Sequence, residues 1–142
     1  MKKKSILLYS CFLLSMPMMA QQNHASDSKA QNKALRDSLA AATNVLAYHP
    51  DSIDLRLKKA AWNIQLEQWA YAKDDLDKVL FLNNTNIAGL FYRAFVNEKM
   101  KRYNFARLDY QNLLVLVPGN FQAQLGLALL NEKDKHYTEA YD

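Results

Sequence analysis

Apolar residues in the middle of the chain recur on a helical stripe. Trp69, Ala72, Leu76, Val79 and Leu80 lie three and four apart, the spacing that places side chains on one face of an α-helix. The stretch before it, from about Ile53 to Leu66, has the same character. So does 31–48, where Leu35, Leu39, Ala42 and Leu46 share a face. The spacing leaves no room for strands. Only three glycines and three prolines occur in 142 residues, and so few breakers favour helices joined by short turns. Pro50 stops the 31–48 stretch, and Ser52 is placed to cap the next.

The pattern then repeats. Ala60, Trp69 and Ala72 are followed 34 positions later by Ala94, Tyr103 and Ala106, and after the same interval by Ala128, Tyr137 and Ala140. A constant period of this length predicts a stacked array of small units rather than one globular core. A chance coiled-coil heptad would not reproduce all three frames at one separation. The small residues let two helix backbones approach, and the aromatic fills the gap beside them. The expected units are an opening helix or half repeat over 31–52, repeats over 53–86 and 87–120, and a truncated repeat over 121–142. Each is a helix, a tight turn and a second helix, with Asn86 and Asn120 in register with Ser52 as caps. The last unit reaches Asp142 only six residues into its second helix. Its first helix, with Leu125, Leu127, Leu129 and Leu130, lacks a full partner, so the chain is expected to be part of a longer array.

The amino terminus changes the charge picture. Lys2, Lys3 and Lys4 precede an apolar run from Ile6 to Ala20, which reads as a secretory signal over 1–20, cleaved after Ala20. The run is short for a bilayer span, so no transmembrane span is expected after cleavage. Leu8-Tyr9-Ser10-Cys11 resembles a lipobox, but the apolar segment before it is too short to favour lipidation at Cys11. Residues 21–30 are polar and aperiodic, the composition of a flexible leader. Without the three lysines, 18 basic residues fall to 15 against 14 acidic ones, and the net charge falls from +4 to +1. No basic stripe remains to bind nucleic acid. Cys11 is the sole cysteine, so the mature, exported chain (periplasmic or secreted) folds without disulfides.

The repeated frame resembles the tetratricopeptide repeat. Ala94, Tyr103, Ala106, Tyr110 and Pro118 fit that family's pattern, as do Ala60, Trp69, Ala72 and Leu76, with Asn84 where a proline is expected. The resemblance implies an all-α fold, a right-handed α-α superhelix of stacked helix-turn-helix repeats, with the first helices lining a concave groove. It also implies a non-catalytic interaction module. One chaperone-binding subclass clamps a terminal carboxylate with lysine, asparagine and arginine on successive first helices. Leu57, Ala61, Tyr92, Gln122 and Gly126 occupy those places here, so that clamp is absent.

No catalytic constellation accompanies the frame. His24, His49 and His136 share no metal-ligand spacing, and neither a phosphate loop nor G-x-S-x-G occurs; no cofactor or metal is expected. Asp74, Asp75 and Asp77 read as a solvated helix surface. Asn63, Asn97 and Asn131 recur at the repeat period, about 120° around the helix from the Leu57 face at about 100° per residue, so they are expected to bond between neighbouring helices. Trp62 and Trp69 fall on core positions.

The candidate binding surface is the groove face: Leu57, Lys58, Ala61, Phe91, Tyr92, Phe95, Lys99 and Leu125. Phe91 and Phe95 are one turn apart, an apolar patch rimmed by charge that suits a peptide or partner helix, and Phe95→Ala is expected to cost little stability. Phe91 and Tyr92 could alternatively stack on a glycan. A third reading is a purely structural segment of a larger assembly subunit.

Overall fold

The computed structural model describes the backbone of residues 16–139 and the side chains of residues 27–134. Lys2 to Lys4, Cys11, the side chains of His24, His136 and Tyr137, and Ala140 lie outside the described residues. Six helices follow one another: α1 (Met16–Tyr48), α2 (Ile53–Gln65), α3 (Trp69–Leu82), α4 (Ile87–Lys99), α5 (Tyr103–Leu116) and α6 (Phe121–Glu139). No strand occurs among the described residues. No described helix is long and apolar enough to cross a membrane.

The chain divides into two compact units between Ser38 and Leu39. The first contains the start of α1, a solvated helix with an exposed Lys33–Asp37 ion pair at 2.8 Å. Residues 21–30, expected to form a flexible leader, are helical within α1. The sequence offers no glycine or proline between Pro17 and Pro50 to interrupt the helix. The expected apolar stripe is present, with Ala42 and Leu46 buried.

In the second unit the period becomes geometric. The first helices α2 and α4 are each 13 residues long, and the second helices α3 and α5 are each 14. Corresponding helices begin 34 residues apart, and α6 begins 34 after α4. The turn inside each unit closes with paired backbone bonds. Gln68 N–H donates to Asn63 C=O at 2.8 Å and Glu67 N–H to Ile64 C=O at 3.0 Å; Arg102 and Lys101 do the same to Asn97 and Glu98 at 2.8 and 2.9 Å. This is the Schellman arrangement, whose left-handed residue is commonly glycine. Here Glu67 and Lys101 take that place, at φ of +56° and +58°.

Between units, Asn86 accepts the Gly89 N–H at 2.7 Å and Asn120 the Ala123 N–H at 2.9 Å, the capping expected of them. Ser52 makes no side-chain cap bond. The Pro50 carbonyl just before it is instead held by the Arg56 guanidinium at 2.7 and 2.9 Å.

Two apolar clusters form the core. Ala60, Ala72, Leu76 and Val96 pack together, with Leu57, Ile64, Trp69, Tyr92, Phe95 and Met100 around them. The second joins Leu80, Leu90, Ala94, Ala106, Tyr110, Leu113, Ala123 and Leu130. The alanine frames thus meet at the helix crossings, Ala60 with Ala72 and Ala94 with Ala106, all fully buried.

The last unit departs from the expected hairpin. Helix α6 continues without a turn to Glu139, through the positions where Glu67 and Lys101 reverse the chain. A left-handed turn residue costs about 1–2 kcal/mol, offset in the earlier units by packing of a complete second helix. No glycine or proline stands between Asn131 and His136 to favour the reversal. Ala128, the third member of the alanine frame, is accordingly exposed.

Candidate partner-binding face

The residues named for the groove sit on three first helices. Leu57, Lys58 and Ala61 come from α2; Phe91, Tyr92, Phe95 and Lys99 from α4; Leu125 from α6. Leu57, Tyr92 and Phe95 converge on the Ala60–Val96 cluster, while Phe91 rests on the neighbouring one. The rings are half-buried rather than free. Phe95 meets Trp69 edge-on, with centroids 6.2 Å apart at 72°. Phe91 lies between Tyr92 at 5.9 Å and Tyr110 at 6.5 Å. Each ring is therefore tied into the repeat while keeping part of its surface accessible. Lys99 Nζ stands 5.1 Å over the Phe95 ring, within cation–π range. Lys58 is exposed, Ala61 half-buried, and Leu125 45% exposed on α6, with none of the aromatic contacts of its α4 counterpart Phe91.

Glu98 shares this face of α4, as its position in the sequence predicts, and Tyr110 of α5 reaches it. The Tyr110 hydroxyl donates to Glu98 Oε1 at 2.6 Å. Burial pushes the phenol's pKa up, and the bond to the Glu98 carboxylate with its charge pushes it further. Gly126 explains how α6 comes so close: a Cβ there would stand 2.5 Å from the Tyr110 ring.

A polar ladder runs between the helices at the repeat period. Lys59 pairs with Asp75 at 2.9 Å, and 34 residues on Arg93 holds both oxygens of Asp109 at 2.7 and 2.9 Å. Arg56 adds a second cation to Asp75 at 3.1 Å, and Arg93 reaches Asp77 at 3.0 Å. Asp75 and Asp109 are 3% and 2% exposed. The expectation that Asp74, Asp75 and Asp77 form a solvated surface is therefore corrected. Asp74 alone is exposed, with no ion pair among the described residues; Asp75 is buried, and Asp77 is tied to Lys73 and Arg93. The hydrogen bond to Asp109 is the main cause of a raised Arg93 pKa, with Asp77 adding to it against the opposing effect of burial. Asn97 lies buried beside this pair and donates to Asp109 at 3.3 Å. Asn131 accepts from Arg107 of α5. Both asparagines bond across helices, as their angular position required. Asn63 is buried at the same place, but its amide nitrogen finds no acceptor.

Among the described residues, the cations of α2–α6 differ in their partners. Arg56, Lys59, Lys73, Lys78, Arg93 and Arg107 each pair with an aspartate. Among the described residues, Lys58, Lys99 and Lys133 show no ion pair, and Lys99 and Lys133 lie over the Phe95 and Tyr103 rings. Among the described residues, no group of three histidine, cysteine or acidic side chains could hold a metal ion.

No protein-family model and no curated protein matches the chain by sequence. Solved structures do match it. The first tetratricopeptide domain of human RPAP3 superposes with a TM-score of 0.69 at 19% identity, covering 83% of this chain and 93% of that one. The first such domain of Spaghetti (RPAP3), bound to an HSP90 peptide, gives 0.68 at 19% identity, covering 78% and 87%. A tetratricopeptide repeat protein from Parabacteroides merdae gives 0.70 at 22% identity, covering 78% of this chain and 43% of that one. With the 34-residue helix register and the alanine crossings, these likenesses establish that the chain has the tetratricopeptide-repeat fold.

Proposed function

We propose that this chain is a non-catalytic interaction scaffold that holds an extended peptide or a partner helix against the face formed by Leu57, Phe91, Tyr92 and Phe95. The observation that carries this reading is the aromatic row on α4, half-buried, with Phe95 against Trp69 and Phe91 against Tyr110. Rings already fixed in place lose little entropy when a partner covers them. Apolar burial there contributes at about 25 cal/mol per Å² before the costs of association. Lys58, Lys99 and Lys133 orient the partner more than they tighten its grip.

Two neighbours of the same fold were solved with HSP90 and HSP70 peptides, which supports peptide capture as the class of function. The lysine–asparagine–arginine clamp has no counterpart at Leu57, Ala61, Tyr92, Gln122 and Gly126, so the partner is of another kind than a clamped terminal carboxylate. Export to the periplasm or outside the cell, read from Lys2–Lys4 and the apolar run to Ala20, is part of the same proposal.

The test is selection of a randomised peptide display library on the purified chain, followed by titration of the selected peptides. Binding should weaken at least about tenfold in Tyr92→Ala, while the helical signal at the assay temperature is kept. Selected peptides indifferent to Tyr92→Ala and Phe95→Ala would place the binding elsewhere. Saturable sugar binding lost in Tyr92→Ala would favour the glycan reading instead.

A further inference from the structure

A pocket of about 310 Å³ opens where α3, α4 and α5 meet, and its lining shares no residue with the α4 aromatic row. Lys73 and Asp77 come to it from α3, Arg93 from α4, and Arg102, Phe105 and Leu108 from the cap and first turns of α5. Buried Asp109 completes it. Its charges do not balance. Asp77 and Asp109 answer Lys73 and Arg93, every one of the four being paired. Arg102 is left over, with no ion pair among the described residues. Its guanidinium carbon instead stands 4.4 Å from the centroid of the Phe105 ring, within cation–π range. Stacking occupies the flat face of a guanidinium and leaves its N–H edge for a planar acceptor. Phe105 and Leu108 are 55% and 53% exposed, so the rest of that wall is apolar and accessible.

We propose that this pocket binds a monoanionic carboxylate joined to a small apolar group, with Arg102 holding the carboxylate and Phe105 and Leu108 covering the carbon skeleton. One surplus positive charge matches one carboxylate. A phosphate monoester would bring close to two negative charges beside Asp77 and Asp109, and no carbon for the apolar wall to cover. The planar fork of Arg102 suits both oxygens of a carboxylate at once. The volume is at the small end for ligand pockets, the size of a free small acid or of one acidic side chain with its apolar neighbour. The preceding repeat supplies the contrast. There the buried ion pair recurs as Lys59–Asp75, but Gln68 and Asp74 stand where Arg102 and Leu108 do. The surplus cation is gone and a carboxylate takes the apolar position, so packing of the repeat does not require either feature.

The test titrates phenylacetate and, separately, the blocked dipeptide N-acetyl-glutamyl-phenylalanine amide into the isotope-labelled full chain. Saturable shifts at the Arg102, Phe105 and Leu108 amides are expected, and the tighter of the two probes tells a free acid from an acidic side chain of a peptide. Arg102→Gln, which installs the residue of the preceding repeat, should weaken binding about tenfold or more with the melting temperature kept. Leu108→Asp, on an exposed side chain, should weaken it as much by repulsion. Uncharged phenylacetamide should bind at least about tenfold more weakly than phenylacetate. Tyr92→Ala should leave this binding in place, which separates the pocket from the α4 face. No saturable shift with either probe, an equal response to phenylacetamide, or binding unchanged in Arg102→Gln and Leu108→Asp would overturn the proposal.

Discussion

Tyr110 and Gly126 reverse the sizes of the residues that stand in their places one repeat earlier, Leu76 and Tyr92. In the first instance the ring is on α4 and the smaller side chain, Leu76, on α3, and Tyr92 packs on the cluster holding Leu76. In the second, the tyrosine is on α5 and the helix above must carry no side chain, since a Cβ at Gly126 would stand 2.5 Å from the ring. The volume is shared across the crossing rather than fixed at either position.

Gly126→Ala should therefore destabilise the docking of α6. Helix propensity gains about 1 kcal/mol, while overpacking against a ring held by Glu98 and Phe91 costs more, for a net loss of about 1–2 kcal/mol. Chemical denaturation of Gly126→Ala, Tyr110→Leu and the double variant measures this. The double variant should recover the clash part of the loss; purely additive effects would show that the two side chains do not share the space.

Asp109→Ala leaves Arg93 with only Asp77 and should cost about 3 kcal/mol, the range for breaking a buried pair. Asp74→Ala, on an exposed side chain of the same helix type, should stay within about 0.5 kcal/mol. Urea midpoints of the two variants give the comparison directly.

Much of this was legible before the structure. The helices α1 to α5, the period, the aromatics at 69 and 103 and the asparagine caps at 86 and 120 all follow from apolar spacing and cap chemistry, which are local. Asp75 was not, because periodicity assigns a charged residue between charged neighbours to water. The available signal was recurrence: Asp75 and Asp109 repeat at the unit length together with Lys59 and Arg93, and a repeated ion pair marks an interior position as surely as a repeated alanine. The straight course of α6 was also hidden. Its earlier counterparts turn at Glu67 and Lys101, residues with no turn preference, so the reversal is set by the helix that packs afterwards rather than by the turn itself. Phe95 was expected to tolerate truncation, but its edge contact with Trp69 means Phe95→Ala should lower stability by about 1–2 kcal/mol.

Glu67→Gly and Lys101→Gly should each stabilise the protein by about 0.5–1 kcal/mol. The relief of left-handed strain, about 1–2 kcal/mol, exceeds the extra chain entropy of glycine. A rise in melting temperature for each variant, additive in the pair, is the expected reading.

Alkaline stability should depend on Tyr110. A phenol whose folded pKa is raised above its unfolded value of about 10 contributes stability that is whole below about pH 10 and is lost as pH climbs through the folded value. Tyr110→Phe should lower stability near neutral pH by about 1 kcal/mol through the lost bond to Glu98, yet show a shallower decline above pH 10. Parallel curves for the two proteins would contradict this.

The most direct measurement is amide mapping on the isotope-labelled chain, titrated with a peptide selected against it. Capture by the aromatic row predicts shifts concentrated at Leu57, Phe91, Tyr92 and Phe95, with Lys58 and Lys99 at their edge. Shifts confined to the outer side chains of α3 and α5, such as Tyr71, Phe81 and Val115, with the α4 row unmoved, would contradict it.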